Sequence, residues 1–479
     1  MTISSPAQTI PLSPFKKLTM DGRWLASLIM ILGVGSASMN NFLSSAIMPD
    51  IIRDLGGQQR AFWVLSLFQI GSILAGTVTG SLKARIGARP LFIAAALSFL
   101  AGSFVGGAAN SLEHLLLGRM LQGLGEGMIV SLCYTLISDL YPENAVSSVF
   151  ALLSGVWAVS AGIGPLTAGI LTESWSWRAV FYANLPLSLM LLLLAITVIP
   201  STTRDKATTT QSSDKMSMFP RLGLLAVAVL LIAYVGELRS LPHITGALGI
   251  GLILLFLAVK WDKKSAGPFI PRSAFKFTGI LGLGMWVTLL LSIASAARVV
   301  YGAAMGQVLW GLSVTQASYA MAITAFTWTA AAWIVARVQT PHAQTSLIRL
   351  GTLNIIAGTL LTVVSLYTMS LWIFLLSSVF NGAGFGMSSQ FLKKAIIYAE
   401  TDDERDRASG FIGPLQSAGM AIGAALAGLL AGLSGFSVPG AEDLITLENA
   451  AQSGPVLFLI MAGIASIAAL LAFKMPRMA

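Results

Sequence analysis

The sequence predicts an all-α polytopic membrane protein with about 14 transmembrane helices, arranged as two six-helix bundles plus two extra central helices. Three observations predict it. The hydrophobic fraction of the 479 residues is 55% and the charged fraction only 10%, with a mean hydropathy of +0.80. A soluble domain carries roughly 25% charged residues, so this chain has too little polar surface to cover itself. Apolar runs of spanning length, about 20 residues, recur from one end to the other. The lysines and arginines gather in every second connection.

In order, the apolar runs place helices near 24–48, 61–82, 91–109, 114–138, 147–171 and 178–199. Two shorter runs follow at 222–236 and 244–260, and then 279–303, 313–336, 347–367, 371–392, 409–434 and 453–473. Residues 1–23 are polar and read as a cytoplasmic tail; the run after them is too long for a signal-peptide core and reads as a retained first helix. Residues 24–200 form the expected N-terminal bundle and 279–479 the C-terminal one. Between them, 201–278 hold a Ser/Thr/Lys-rich linker, the two extra helices and a basic loop. No strong sequence repeat relates the halves. Lys and Arg favour cytoplasmic loops. Most of the 29 basic residues fall inside if both termini are cytoplasmic, which places the protein in a plasma membrane, the inner membrane of a bacterium. The net charge of +9 then faces anionic lipid headgroups and needs no nucleic acid. A single cysteine, Cys133, excludes an intrachain disulfide and a thiolate metal cluster.

Buried ionisable residues are expensive in a bilayer and so are functional candidates. Arg119, Gln122 and Glu126 sit three and four residues apart, on one face of the fourth helix. Glu126, near mid-span, is the clearest membrane carboxylate; it reads as a cavity residue for substrate or proton, or as a structural polar contact between helices. Arg298 could meet an anionic or carbonyl-bearing solute, or snorkel outward. Asn40, Asn41, Gln69 and Asn381 add uncharged hydrogen-bonding groups. Trp286 and Trp328 lie deep enough to stack on an aromatic solute. Only three histidines are present, no H-E-x-x-H or Walker sequence occurs, and no strand precedes Gly123-Leu124-Gly125-Glu126-Gly127. Enzyme chemistry and ATP coupling are therefore not expected, nor is any metal or cofactor.

Several motifs carry a resemblance. Gly80-Ser81-Leu82-Lys83-Ala84-Arg85-Ile86-Gly87-Ala88-Arg89-Pro90 resembles the signature loop G-x-L-x-D-R-x-G-R-R/K of the major facilitator superfamily. Arg119-Met120-Leu121-Gln122-Gly123-Leu124-Gly125 is similar to that family's R-x-x-Q-G-x-G. Gly155, Gly162, Gly164, Pro165 and Gly169 resemble the antiporter motif of helix 5, where small residues let helices approach closely and proline bends the helix. Trp175-Ser176-Trp177-Arg178 with Phe181, Asn184 and Pro186, then Gln307 to Ser313, then Asn381 to Gly386, look like segments of the fourteen-helix drug:H+ antiporter family.

The resemblance implies a secondary transporter working by alternating access. Its expected cargo is a small amphiphilic or aromatic organic solute, in the style of multidrug exporters. Its expected partners are that solute, protons and the lipid bilayer, with the chain acting as a monomer. Gly80, Arg85, Gly87 and Arg89 become the gating loop, with the arginines bonding helix-end carbonyls. Two departures matter. The family's helix-1 carboxylate falls on Asn40, and an amide cannot titrate. The loop carboxylate falls on Ala84, which implies a weaker closure. Both keep open a second reading, uptake of a specific metabolite or vitamin such as riboflavin.

Overall fold

The computed structural model describes residues 24–55, 62–199, 215–235, 238, 240–398, 402–434 and 447–476. These fold into sixteen helices. The first eight are α1 (Trp24–Ala46), α2 (Met48–Leu55), α3 (Phe62–Ile86), α4 (Ala88–Gly107), α5 (Leu112–Leu140), α6 (Glu143–Ser174), α7 (Trp177–Tyr182) and α8 (Asn184–Val198). Then follow α9 (Lys215–Tyr234), α10 (Leu241–Lys264), α11 (Ile280–Trp310), α12 (Val314–Val335), α13 (Pro341–Thr368), α14 (Leu371–Tyr398), α15 (Asp402–Ser434) and α16 (Leu447–Lys474). Among the described residues, thirteen helical segments are long and apolar enough to cross a membrane, α7 and α8 counting together; the apolar part of α9, Phe219–Tyr234, is shorter.

Where the boundaries differ from expectation, local chemistry accounts for it. The first run does not end at 48: it breaks at Ile47, and the amphipathic α2 starts with Pro49 in its first turn, where a missing N–H costs nothing. The sixth run is likewise split, at Ala183. Helix α9 begins at Lys215, inside the stretch read as linker, and α10 runs on to Lys264, inside the stretch read as loop. Helix α15 starts at Asp402, several residues before its apolar run. Residues 1–23 and 200–214 lie outside the described residues.

Turn chemistry sets the corners. Ser111 caps α5 by accepting from the His114 N–H. Gly311 closes α11 in the left-handed conformation (φ +62°), and Ser313 and Gln316 form a reciprocal capping box on α12. The Gln307–Ser313 motif therefore forms the last turn of α11 and the link into α12.

Two bundles result, α1 to α8 and α11 to α16, with the α9–α10 hairpin packed against α3 and α15. One apolar core runs through both bundles. Two further cores stay within single bundles, one around Leu43, Val64 and Phe181 and the other around Tyr301, Phe374 and Phe458.

The packing reveals a repeat that the sequence hides. Gly123, Gly125 and Gly127 on α5 lie so close to Phe68, Phe99 and Ser72 that a Cβ would overlap their backbone atoms. On α14, Gly382, Gly384 and Gly386 press in the same way against Thr324, Ile355 and Trp328. Gln122 abuts Gly102 as Asn381 abuts Gly358. The segment Gln122-Gly-Leu-Gly-Glu-Gly-Met128 thus corresponds to Asn381-Gly-Ala-Gly-Phe-Gly-Met387. Such close backbone approach needs small residues.

Candidate functional site

Glu126 anchors a buried polar network that joins four helices of the first bundle. Asn40 on α1 donates its Nδ2–H to Glu126 Oε2 at 3.1 Å. Arg119 donates from Nη1 to Asn40 Oδ1 at 3.4 Å and to Gln122 Oε1 at 2.9 Å, and from Nε to the Val64 carbonyl at 3.0 Å. Gln122 in turn donates to Ser103 Oγ on α4 at 2.9 Å. The Phe68 ring lies 4.1 Å from the guanidinium carbon. Arg119 and Gln122 are essentially fully buried, and Glu126 keeps 6% of its surface exposed. The spacing along α5 puts these three side chains on one face, and tertiary packing brings Asn40 between them. Asn40 does not titrate, but it orients the carboxylate and spaces it from the arginine.

The second bundle holds a matching niche around Arg298. That side chain points inward, not toward the interface, and is 7% exposed. It donates to Thr362 Oγ1 at 3.1 Å, to Ser377 Oγ at 2.8 Å and to Ser378 Oγ, with its guanidinium carbon 4.7 Å from the Phe374 ring. Asn381 is bound within its own helix, to the Ser377 carbonyl at 2.9 Å. Of the remaining polar candidates, Asn41 is exposed and Gln69 half-buried, and neither joins a network among the described residues. Trp328 stacks on Phe385 with centroids 5.0 Å apart. Trp286 donates its indole N–H to the Phe275 carbonyl and packs its ring on Phe275 and Phe277.

At the end where the basic loops lie, the bundles are bridged. Lys83 Nζ sits 2.7 Å from Asp406 on α15 and 2.7 Å from Asp139 on α5. Lys394 on α14 meets Glu143 on α6 at 3.2 Å. A Cβ on Gly80 would overlap the Asp406 carbonyl, so α3 and α15 touch backbone to backbone here. Gly87 breaks the chain between α3 and α4 with φ +87°. At Ala84 there is no carboxylate to bridge the bundles, and the neighbouring Lys83 supplies a cross-bundle ion pair instead. Arg85 is exposed and Arg89 half-buried; neither bonds a helix-end carbonyl among the described residues. Sequence reasoning missed Lys83 because its partner lies on a distant helix.

The helix-5 motif is mixed. Gly155 makes room for the Trp333 ring, whose N–H donates to Ala151 across the bundles at 2.9 Å, and Gly164 lies against Phe42. Gly162 makes only ordinary contact with Phe326, and nothing lies within 4 Å of a Cβ on Gly169. These two do not mediate close approach. Helix α6 continues through residue 165; the Pro165 side chain lies outside the described residues. Trp177 and Arg178 both donate to Asp54 Oδ2, at 3.0 and 2.6 Å, clamping α2 to α7. These bonds hold the Asp54 carboxyl below its usual range.

Residues 30–390 match the Major Facilitator Superfamily. The chain belongs to the major facilitator superfamily. It is accordingly an integral membrane transporter and not an enzyme. A probable multidrug-efflux transporter of Mycobacterium tuberculosis is 27% identical over 419 residues, 84% of this chain and 87% of that one. Multidrug resistance protein 3 of Bacillus subtilis is 29% identical over 167 residues, 35% of this chain and 33% of its own. Among solved structures, the human organic anion transporter MFSD10 superposes with a TM-score of 0.69 at 15% identity, over 94% of this chain and 99% of that one. The proton:xylose symporter XylE gives 0.64 at 16% identity, over 94% and 95%. At such identities these two structures show the superfamily fold alone.

Proposed function

We propose that this chain exports small amphiphilic organic solutes from the cytoplasm in exchange for protons, with Glu126 as the shared site. The carrying observation is the network that holds the Glu126 carboxylate beside Arg119 through Asn40. Ionised, Glu126 neutralises Arg119. Protonated, it leaves the niche with a net positive charge. A solute that donates to Glu126, or is cationic, competes with the proton for the same oxygen atoms. Mutual exclusion at one site links the two flows. Asn40, where the family pattern has a carboxylate, leaves Glu126 as the titrating group.

The basic end is cytoplasmic in this reading. In the described conformation it is closed by Lys83–Asp406 and Lys394–Glu143. The cores around Phe181 and around Phe374 each remain within one bundle, which fits an outward-facing state. Rocking the bundles about the centre must break these two bridges to open the cytoplasmic side. The relatives named for multidrug efflux favour export over uptake of a vitamin.

The test is flux. Purified protein in proteoliposomes should move tetraphenylphosphonium or another lipophilic dye against its gradient when a pH gradient is imposed. No flux of any amphiphile in either orientation would overturn the reading.

A further inference from the structure

The two bundles bury one arginine each in the same niche, but root it on opposite helices. In the first bundle the arginine stands on α5 and bonds Asn40 of α1. In the second it stands on α11 and bonds Ser378 of α14. The repeat makes Ser378 the counterpart of Arg119: the Arg119 side chain donates to the Val64 carbonyl, and the Ser378 hydroxyl donates to the corresponding Ala320 carbonyl at 3.4 Å. Ser103 and Thr359 behave alike too, each donating to the carbonyl four residues back at 2.8 Å.

The charge does not repeat. Glu126, which answers Arg119, corresponds to Phe385 between Gly384 and Gly386. Around Arg298 there are three neutral hydroxyls and a ring. Thr362 and Ser377 give their own protons to the Gly358 and Phe374 carbonyls, so they offer lone pairs but no charge. Arg119 is linked to the Glu126 carboxylate through the Asn40 amide; among the described residues Arg298 has neither a carboxylate within ion-pair distance nor an amide that leads to one, and its enclosed Nε finds no acceptor. An arginine stays protonated, and a buried charge without a partner is strongly unfavourable. The first niche is balanced and the second carries one unanswered positive charge.

We infer that Arg298 is the seat of a monoanionic group, which completes the second niche as Glu126 completes the first. The group is a carboxylate on the transported solute, or chloride moving with it. For the solute's carboxylate the inference rests on the transport reading above; occupancy of the niche can be measured without flux. Arg298 is then a specificity residue. It selects solutes that present an acceptor to the second bundle while offering a donor to Glu126 on the first.

The test is thermal unfolding of the full chain in lipid nanodiscs, in sulfate buffer at constant ionic strength, as sodium benzoate or sodium chloride is added. One or both should raise the unfolding temperature saturably. A response to benzoate assigns the seat to a carboxylate, and a response to chloride assigns it to the ion. Arg298→Gln should raise the half-saturating concentration about tenfold or more, as expected for a lost charge-assisted bond; Arg298→Lys should recover part of it. Ser378→Asp places a carboxylate against the guanidinium. It should remove the response and raise the unfolding temperature without added anion, and it decides the matter if Arg298→Gln does not fold. The inference falls if neither anion stabilises the wild type saturably, or if Ser378→Asp responds as the wild type does. Tetraphenylphosphonium flux without any anion response would leave the transport reading standing and sink this one alone.

Discussion

Lys83 and Asp406 lie on different bundles and meet at 2.7 Å, with the lysine only 8% exposed and Asp139 sharing its ammonium. A cross-bundle pair this sheltered is screened little by salt. It ties α3 to α15 where Gly80 already brings their backbones together. Opening this end therefore breaks a charge-assisted contact, one of the two bridges between the bundles there.

Lys83→Met keeps the stem and removes the charge. It should shift the equilibrium toward opening at the basic end by about 1.5–3 kcal/mol, the usual weight of a hydrogen bond to a charged group. A cysteine at Val130, in a Cys133→Ser background, reports this through labelling by an impermeant maleimide from that side. Labelling should rise at least several-fold. The charge-reversed pair Lys83→Asp with Asp406→Lys should restore the slow rate. Unchanged labelling in Lys83→Met would show that the bridge holds nothing closed.

The helices were legible in the sequence because spanning demands long apolar runs, and Arg119, Gln122 and Glu126 because helical spacing puts them on one face. The start of α15 was not, since Asp402-Asp403-Glu404-Arg405-Asp406 reads as loop although a helix end at the membrane surface tolerates charge. Lys83 was in view, but its partners are tertiary. The repeat was hidden because what it preserves is backbone proximity: three glycines in each half, with different side chains between them.

Those glycines make a sharp contrast with Gly169. Alanine at Gly123 or Gly382 would overlap backbone or side-chain atoms of the neighbouring helix, so each should destabilise by about 1–3 kcal/mol, the usual cost of overpacking. Gly169 has open space around it within α6, and Gly169→Ala should be neutral or stabilise by up to about 1 kcal/mol. Unfolding temperatures in detergent give the comparison. A loss at Gly169 matching that at Gly123 would mean that α6 packs against something at this position after all.

Acid should loosen the clamp between α2 and α7. The bonds from Arg178 and Trp177 hold the Asp54 carboxyl below its ordinary value. A depressed carboxyl contributes stability that is present above its unfolded pKa and lost as pH falls through its folded one. The difference in unfolding temperature between wild type and Asp54→Asn should therefore be constant near neutrality and shrink below the ordinary aspartate range. A difference that grew on acidification would reverse the sign of the coupling and refute the clamp.

Glu126→Gln separates the two duties assigned to that side chain. The amide keeps the shape and can still accept from Asn40, but it cannot bind or release a proton. If Glu126 carries the coupling proton, accumulation driven by a pH gradient should vanish while solute exchange at equal concentrations survives. If Glu126 only binds solute, both should fall together, by roughly the 1.5–3 kcal/mol of a charge-assisted bond, or about 10- to 100-fold. The variant also leaves Arg119 without a counter-charge, so some loss of stability is expected in either case, and flux must be normalised to folded protein. Adding Arg119→Gln removes that penalty and tests the coupling alone. Wild-type accumulation by Glu126→Gln would make the carboxylate a helix–helix contact and move the coupling site elsewhere.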